Sequence, residues 1–446
     1  MLLPLPQFKK YLNLSLSGVL LFSAGLSHAQ VKEVQTLLPI DIEKTTVEHP
    51  PHLDLDLTGA EYRVLMEATE AKSATEATQP SLLTFQAQNF DDIFATGKRN
   101  LDWLQVINKH RSTPLSLSTP ETQIGYPITN PRIYNPTIIR NEYNKLQQEM
   151  PAELKKVIFG NGELPTQLTV PDADYIFWGL KVDRSYQIAA RWRSMEPYMN
   201  YLKNNSVNDI RGYYFLTTTP GFPQRLQEWS SFTPQEQAAV RIWLQQVCRN
   251  DLQNPQSCQN LTDQAIRANN SFDFFNQHKA ASQQILSKMM YIPANVKFSR
   301  TQWKNNFQQF HVPFVDPQSK DMQAYLTYNI ETEWKFLPFS LHIDFVPRNQ
   351  FGVEVVWEPG ITPHVPSLGA NTIYMDSNAP ISEYDVQWTI RHEFGHVLGF
   401  PDCYIELYDN DIQAIVGYQI DITDLMCSRR GHLKERHVAE LKRVYN

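Results

Sequence analysis

Positive charge is not in excess in this sequence: 40 Lys and Arg stand against 47 Asp and Glu, a net charge of -7. That balance leaves no basic footprint for nucleic acid and no polybasic patch for a membrane surface. Past the first thirty residues there is no apolar run long enough to span a bilayer, so no membrane span is expected. No internal repeat is found either, which argues against a solenoid or propeller. Cysteine is sparse, at four. What remains is the composition of a globular protein: 446 residues, 42% hydrophobic and 12% aromatic, can bury a sizeable core, and the length favours two or three domains.

The N-terminus differs from the rest. Lys9 and Lys10 precede an apolar run from Leu12 to Leu26, and "SHAQ" sets Ser27 and Ala29 at the small positions before a cut. This is the order of a secretory signal peptide over 1–29, with a mature chain beginning near Gln30. The expected location is therefore secreted, extracellular or periplasmic. An oxidising compartment favours disulfides over thiols, which predicts that Cys248 pairs locally with Cys258 and that Cys403 pairs with Cys427.

Residues 30–136 are rich in Pro, Thr, Ala and Glu, with the low-complexity "EATEAKSATEATQPS" and the turn-laden "YPITNPRIYNP". They predict extended or loosely ordered structure. Over 137–292 helical periodicity dominates. In "TPQEQAAVRIWLQQVC" the apolar steps Ala239, Ile242, Trp243 and Val247 follow a helix start at Thr233, Pro234 and Glu236. The aromatics of this region, Trp229, Trp243, Phe272, Phe274 and Phe275, read as helical core. Whether this mainly helical domain is a propeptide, a binding unit or a scaffold stays open.

After Ile292 the texture changes. The segments 339–347, 351–360 and 371–380 alternate and end at Pro or Gly, as strands do. A helix carrying "RHEFGHVLG" follows, with Ser382 and Asp385 as a capping pair and Val386, Ile390, Phe394, Val397 and Leu398 on one face. A long loop then leads to a final helix, "HLKERHVAELKRVY". Strands, helix, loop and helix over 293–446 predict a compact α+β domain with a small mixed sheet.

His392 and His396 lie four apart on that helix, so both imidazoles can address one point, while Glu393 sits about 100° round the axis. The arrangement suits one zinc ion held by two histidines, with Glu393 as the base for the zinc-bound water, whose pKa zinc lowers to about 7. A catalytic site needs a third protein ligand and an open position. Gly399 can end the helix at positive φ and Pro401 prevents its resumption, which brings Asp402 back towards the two imidazoles. Competitors for the ligand role are His432 and His437, with Glu435 and Glu440, near the last helix. His364 reads as a loop residue near the cleft. Asp409, Asp411, Asp421 and Asp424 read as a solvated loop, with a calcium site as the alternative.

His392, Glu393, His396, Gly399 and Asp402 together resemble the extended H-E-x-x-H-x-x-G-x-x-[H/D] signature of the metzincin zinc endopeptidases, in the aspartate form of snapalysin-like enzymes. "DLMCS" places Met426 where that clan has its Met-turn, a methionine under the metal. The strand "NTIYMD" resembles the clan's substrate-pairing edge strand. The resemblance covers about 371–428 and says nothing of 30–290. It departs at two places: Asp402 stands where most members have His, and Ser428 stands where some have a tyrosine. If the third-ligand turn meets the Met-turn as the resemblance implies, Cys403 and Cys427 become neighbours. The resemblance implies a secreted zinc-dependent endopeptidase with a protein or peptide as substrate. Two alternatives remain: a zinc hydrolase of another amide, such as a cell-wall peptide, and an exported binding protein with a vestigial zinc domain. Substrate preference and oligomeric state are not given by the sequence.

Overall fold

A computed structural model describes residues 89–410 and 412–446. The expected signal peptide, the low-complexity stretch at 67–81 and Asp411 lie outside the described residues. The first long helix is α1 (Asp91–Asn108), followed by strand β1 (Arg132–Tyr134) and the helices α2 (Pro136–Glu149), α3 (Asp172–Met195), α4 (Pro234–Leu252), α5 (Pro255–Arg267) and α6 (Ser271–Met290), with shorter helical turns between them. Strands β2 (Gln302–Lys304), β3 (Gln309–Val315), β4 (Lys335–Phe336), β5 (Phe339–Val346), β6 (Glu354–Glu358) and β7 (Thr372–Asp376) follow. Helix α7 (Tyr384–Val397), the hairpin β8 (Tyr404–Asp409) and β9 (Ala414–Gln419), and helix α8 (Glu435–Tyr445) complete the chain. The class is α+β with small mixed sheets, as expected. Among the described residues, no helix is long and apolar enough to cross a membrane.

Several expectations need correction. Residues 91–108 are not extended. Ile93, Leu101, Leu104 and Ile107 recur at helical steps and are buried, a pattern obscured by the polar composition just before it. In α4 the predicted cap is present, Thr233 Oγ1 and Glu236 closing a capping box, but the buried face is Val240, Leu244, Val247 and Cys248, while Ile242 is 54% exposed. The loop expected after the metal motif is the β8–β9 hairpin, in which the buried Ile405 and Leu407 alternate with half-buried positions ahead of an Asn410 turn.

Elements from the two sides of Ile292 pack against one another. β1, from the N-terminal half, pairs antiparallel with β9 and so completes a three-stranded sheet with the C-terminal hairpin. One core cluster joins Tyr134, Ile139 and Trp192 to Tyr408 and Ile415. Burying apolar side chains from both halves in one cluster makes their separation costly, since each large side chain contributes about 1.5–3 kcal/mol.

The start of the motif helix shows the same interdependence. Neither Ser382 nor Asp385 caps α7. Instead Ser118 Oγ accepts from the Asp385 amide (3.1 Å), and Glu383 Oε2 accepts from the amides of Leu117 (2.8 Å) and Ser118 (3.0 Å). Asp183 of α3 is buried against this corner. Burial first, and then the charges of Asp385 and Glu383, push its carboxyl up to about 8, with Arg429 and a 2.6 Å hydrogen bond from Gln187 opposing. The folded protein thus holds a proton that the unfolded chain releases near the ordinary value of 3.8. Stability present at pH 4 therefore falls as pH rises towards 8. Asp183→Asn keeps an oxygen for Gln187 and removes the titration, so thermal melts should show it more stable than the wild type by about 2 kcal/mol at pH 8 and equal near pH 4. A wild-type pH profile in the variant would refute this.

Candidate metal centre

The motif helix is packed on its underside by Trp334, Phe314 and Phe400 and is buried along nearly its whole length. The chain leaves it at Gly399, whose φ of 93° few side-chain-bearing residues adopt, and returns through Pro401. Asp402 is brought back under the helix: its Oδ1 lies 3.1 Å from His392 Nε2 and 3.3 Å from His396 Nε2. The ligand atoms of these three residues all fall within 4.8 Å of one another.

The other ring nitrogens are fixed by the backbone. His392 Nδ1 lies 3.0 Å from the Leu425 carbonyl and His396 Nδ1 2.8 Å from the Phe400 carbonyl. A carbonyl only accepts, so each Nδ1 carries a hydrogen and each Nε2 is the ring atom turned towards the common point. Burial works against a charge on His396, but the Asp402 carboxylate outweighs it and raises the imidazole to about 9. Burial likewise opposes ionisation of Asp402, and the two histidines, His396 foremost, hold its carboxyl well below the usual carboxylate range. Two imidazoles and a carboxylate packed this tightly form a borderline-soft, N/O donor set of the kind zinc takes. Glu393 is 7% exposed, and its Oε2 is buried without a hydrogen-bond partner. A buried acceptor left unpaired is costly unless it has a task.

Met426 and the two cysteines fall where expected. Met426 is fully buried, and a Cβ built on Gly395 would lie 2.3 Å from its sulfur, so the absence of a side chain at Gly395 is what admits the methionine beneath the helix. The Cys403 amide donates to the Met426 carbonyl (3.1 Å) and the Cys403–Cys427 disulfide joins the two turns. Cys248 and Cys258 form the second disulfide, between α4 and α5.

The competitors are placed elsewhere. His432 faces Glu333 (3.2 Å), His437 is buried against Asp424, and Glu440 accepts from the Ile292 amide (2.7 Å). Glu435 opens α8 and belongs to no metal-ligating group among the described residues. The acidic stretch is not a solvated loop. Asp409 ends β8, Asp421 pairs with Lys434 (2.5 Å), and the fully buried Asp424 binds Arg436 (2.6 Å). Lys434 and Arg436 thus meet the charges of Asp421 and Asp424.

"NTIYMD" forms β7, an edge of the two-stranded β6–β7 sheet. β7 pairs in parallel with β6 on one side, and on the other His364 exchanges both backbone hydrogen bonds with Tyr374 (3.1 and 2.9 Å). At that point the segment 361–366, a loop joined to β7 by this one bridge, lies outermost, and His364, read as a loop residue, sits in it. Pro363 and Pro366 keep this segment from extending the bridge into a ladder, because proline has no N–H to donate to one.

Tyr404 was missed altogether. It lies two residues beyond Asp402 on β8, and burial first, then the charge of Asp402, against the opposing charge of Arg191 and with smaller contributions from Glu406 and Glu393, raises its phenol well above 10. It stays protonated, within electrostatic reach of Asp402 and Glu393. Its spacing from Asp402 is the one signal the sequence offers. The chain matches no protein-family model, and no curated protein or solved structure is significantly similar to it.

Proposed function

We propose that the protein is a zinc-dependent endopeptidase of metzincin type, exported from the cell, that hydrolyses peptide bonds in extended segments of protein. The observation that carries the reading is the convergence of His392 Nε2, His396 Nε2 and Asp402 Oδ1 beside the unpaired, buried oxygen of Glu393. A purely structural metal site needs no such base, which weighs against a vestigial zinc domain.

His392, His396 and Asp402 would hold the ion, which when bound supplies Lewis acidity and makes a water acidic near neutral pH. Glu393 takes the proton of the attacking water and returns it to the departing amine nitrogen. Tyr404 offers its hydroxyl hydrogen to charge that develops on the carbonyl oxygen. The backbone of 361–366 holds the peptide: Val365, next to the paired His364, makes no backbone hydrogen bond among the described residues, so its N–H and C=O are open to an added strand.

The test joins metal to activity. Pure protein should carry about one zinc per chain and cleave an unfolded protein substrate, lose both on chelation, and regain both with added zinc. Cleavage at the same rate after zinc removal, or intact substrates with zinc bound, would overturn the reading.

A further inference from the structure

A cavity of about 450 Å³ opens at one end of the exposed edge, between α1, α3 and the start of the edge segment. Phe94, Ala190 and Tyr186 give its lining an apolar part, and Thr362 of the edge segment lines it too. Lys98 and Arg193 stand on its rim, and no Asp or Glu lines it. Each cation does have a counter-ion outside the lining: Lys98 Nζ is 2.7 Å from Asp102 and Arg193 Nη2 is 2.8 Å from Asp91. Both cationic side chains are 52% exposed, so these pairs are screened by solvent and exchange readily for another carboxylate. The Arg193 guanidinium lies 3.7 Å over the Phe94 ring, so these two lining residues are in contact.

Asp376 fixes the cavity relative to the cleft. This buried residue at the end of β7 accepts from Tyr186 Oη (2.9 Å), from the Gly360 amide (2.7 Å) and from the Asn378 amide (2.9 Å). Helix α3, the beginning of the edge segment and the exit of β7 are thus tied together. At the other end of the segment the Gly369 amide donates to the His396 carbonyl (2.8 Å), which anchors that end on the motif helix. The edge therefore runs from the cavity to the metal helix over a span of at most about 25 Å. A peptide added antiparallel, the more stable pairing, runs the opposite way, with its C-terminal side towards the cavity.

We propose that this cavity is a substrate subsite for an acidic residue with apolar neighbours, located C-terminal to the cleaved bond. The assignment rests on the endopeptidase reading. Lys98 and Arg193 bind the carboxylate, Phe94 and Tyr186 receive the apolar flank, and two helices outside the resemblance to metzincins thereby take part in substrate choice.

The test uses two fluorescent peptides that differ only in carrying Glu-Leu-Glu or Gln-Leu-Gln downstream of a cleavable segment. Anisotropy with the full-length Glu393→Gln protein should give the acidic peptide a Kd about tenfold lower at low salt, with the difference shrinking at high salt. The preference should vanish when Lys98→Gln and Arg193→Gln are added. Lys98→Glu with Arg193→Glu should instead favour Lys-Leu-Lys, a gain that misfolding cannot produce. Equal Kd values for the first pair, a preference that survives the double substitution, or the same preference with the acidic stretch moved upstream would overturn the subsite. Charge-dependent binding without cleavage by the wild type would leave the subsite standing and remove the endopeptidase reading. Cleavage of both peptides with equal KM would do the reverse.

Discussion

Glu393→Gln should leave zinc content at the wild-type level and lower peptide cleavage by about 10²- to 10⁴-fold, the range associated with losing a general acid-base group. The two side chains have the same shape, and Glu393 is no member of the converging ligand trio, so the exchange leaves the donor set intact. Glutamine cannot take a proton from water, nor hand one to the leaving nitrogen. His392→Ala should behave differently. It removes both an Nε2 donor and the hydrogen bond to Leu425, and should lower zinc content and cleavage together. Metal analysis beside initial rates on one fluorogenic peptide separates the two patterns. A Glu393→Gln enzyme as fast as the wild type would remove Glu393 from the reaction and the peptidase chemistry with it.

The parts of this site that were legible in the sequence are those that a local rule fixes. Helical spacing puts His392 and His396 on one face, and glycine at positive φ followed by proline turns Asp402 back. The strands β5, β6 and β7 could be read from their alternation. What could not be read depends on partners far away in the chain. The cap on α7 is Ser118, 267 residues distant from Asp385, so a nearby serine was the natural but wrong choice. The bridge from His364 to Tyr374 could not be read, because a single pairing within a proline-interrupted loop leaves no alternation in the sequence. Ile242 looked buried because its periodicity with Ala239 is helical. A helical step says that two residues share a face, not which face meets the core.

The acidic stretch after the motif was the most consequential misreading, and it leads to the other large effect. Asp424 is fully buried and was expected to be solvated. Burial opposes its charge, but hydrogen bonding and attraction from His437 and the guanidinium of Arg436 hold the carboxyl well below its usual range. It also accepts from the Met426 amide (2.9 Å), one residue beyond Leu425, whose carbonyl orients His392. Asp424→Ala should therefore cost about 3–5 kcal/mol, because Arg436 loses its counter-charge while still mostly buried. It should also weaken zinc binding about 10- to 100-fold, the size of effect expected when the support of a ligating histidine is lost. The sign of the pH dependence follows from a depressed carboxyl: the stabilisation is present above the ordinary carboxylate value and disappears only as pH falls through the lower folded value. The gap between wild type and variant should thus be flat from pH 5 to pH 8 and close in strong acid. Urea melts and zinc competition with a chromophoric chelator measure the two effects on the same samples. Asp424→Asn, which keeps an acceptor for the Met426 amide but no charge, should recover part of the zinc affinity and little of the stability, since the amide contact serves the turn and the charge serves Arg436. Wild-type stability in Asp424→Asn would show that the buried charge contributes nothing, and wild-type zinc affinity in Asp424→Ala would show that the Met426 turn holds His392 without it.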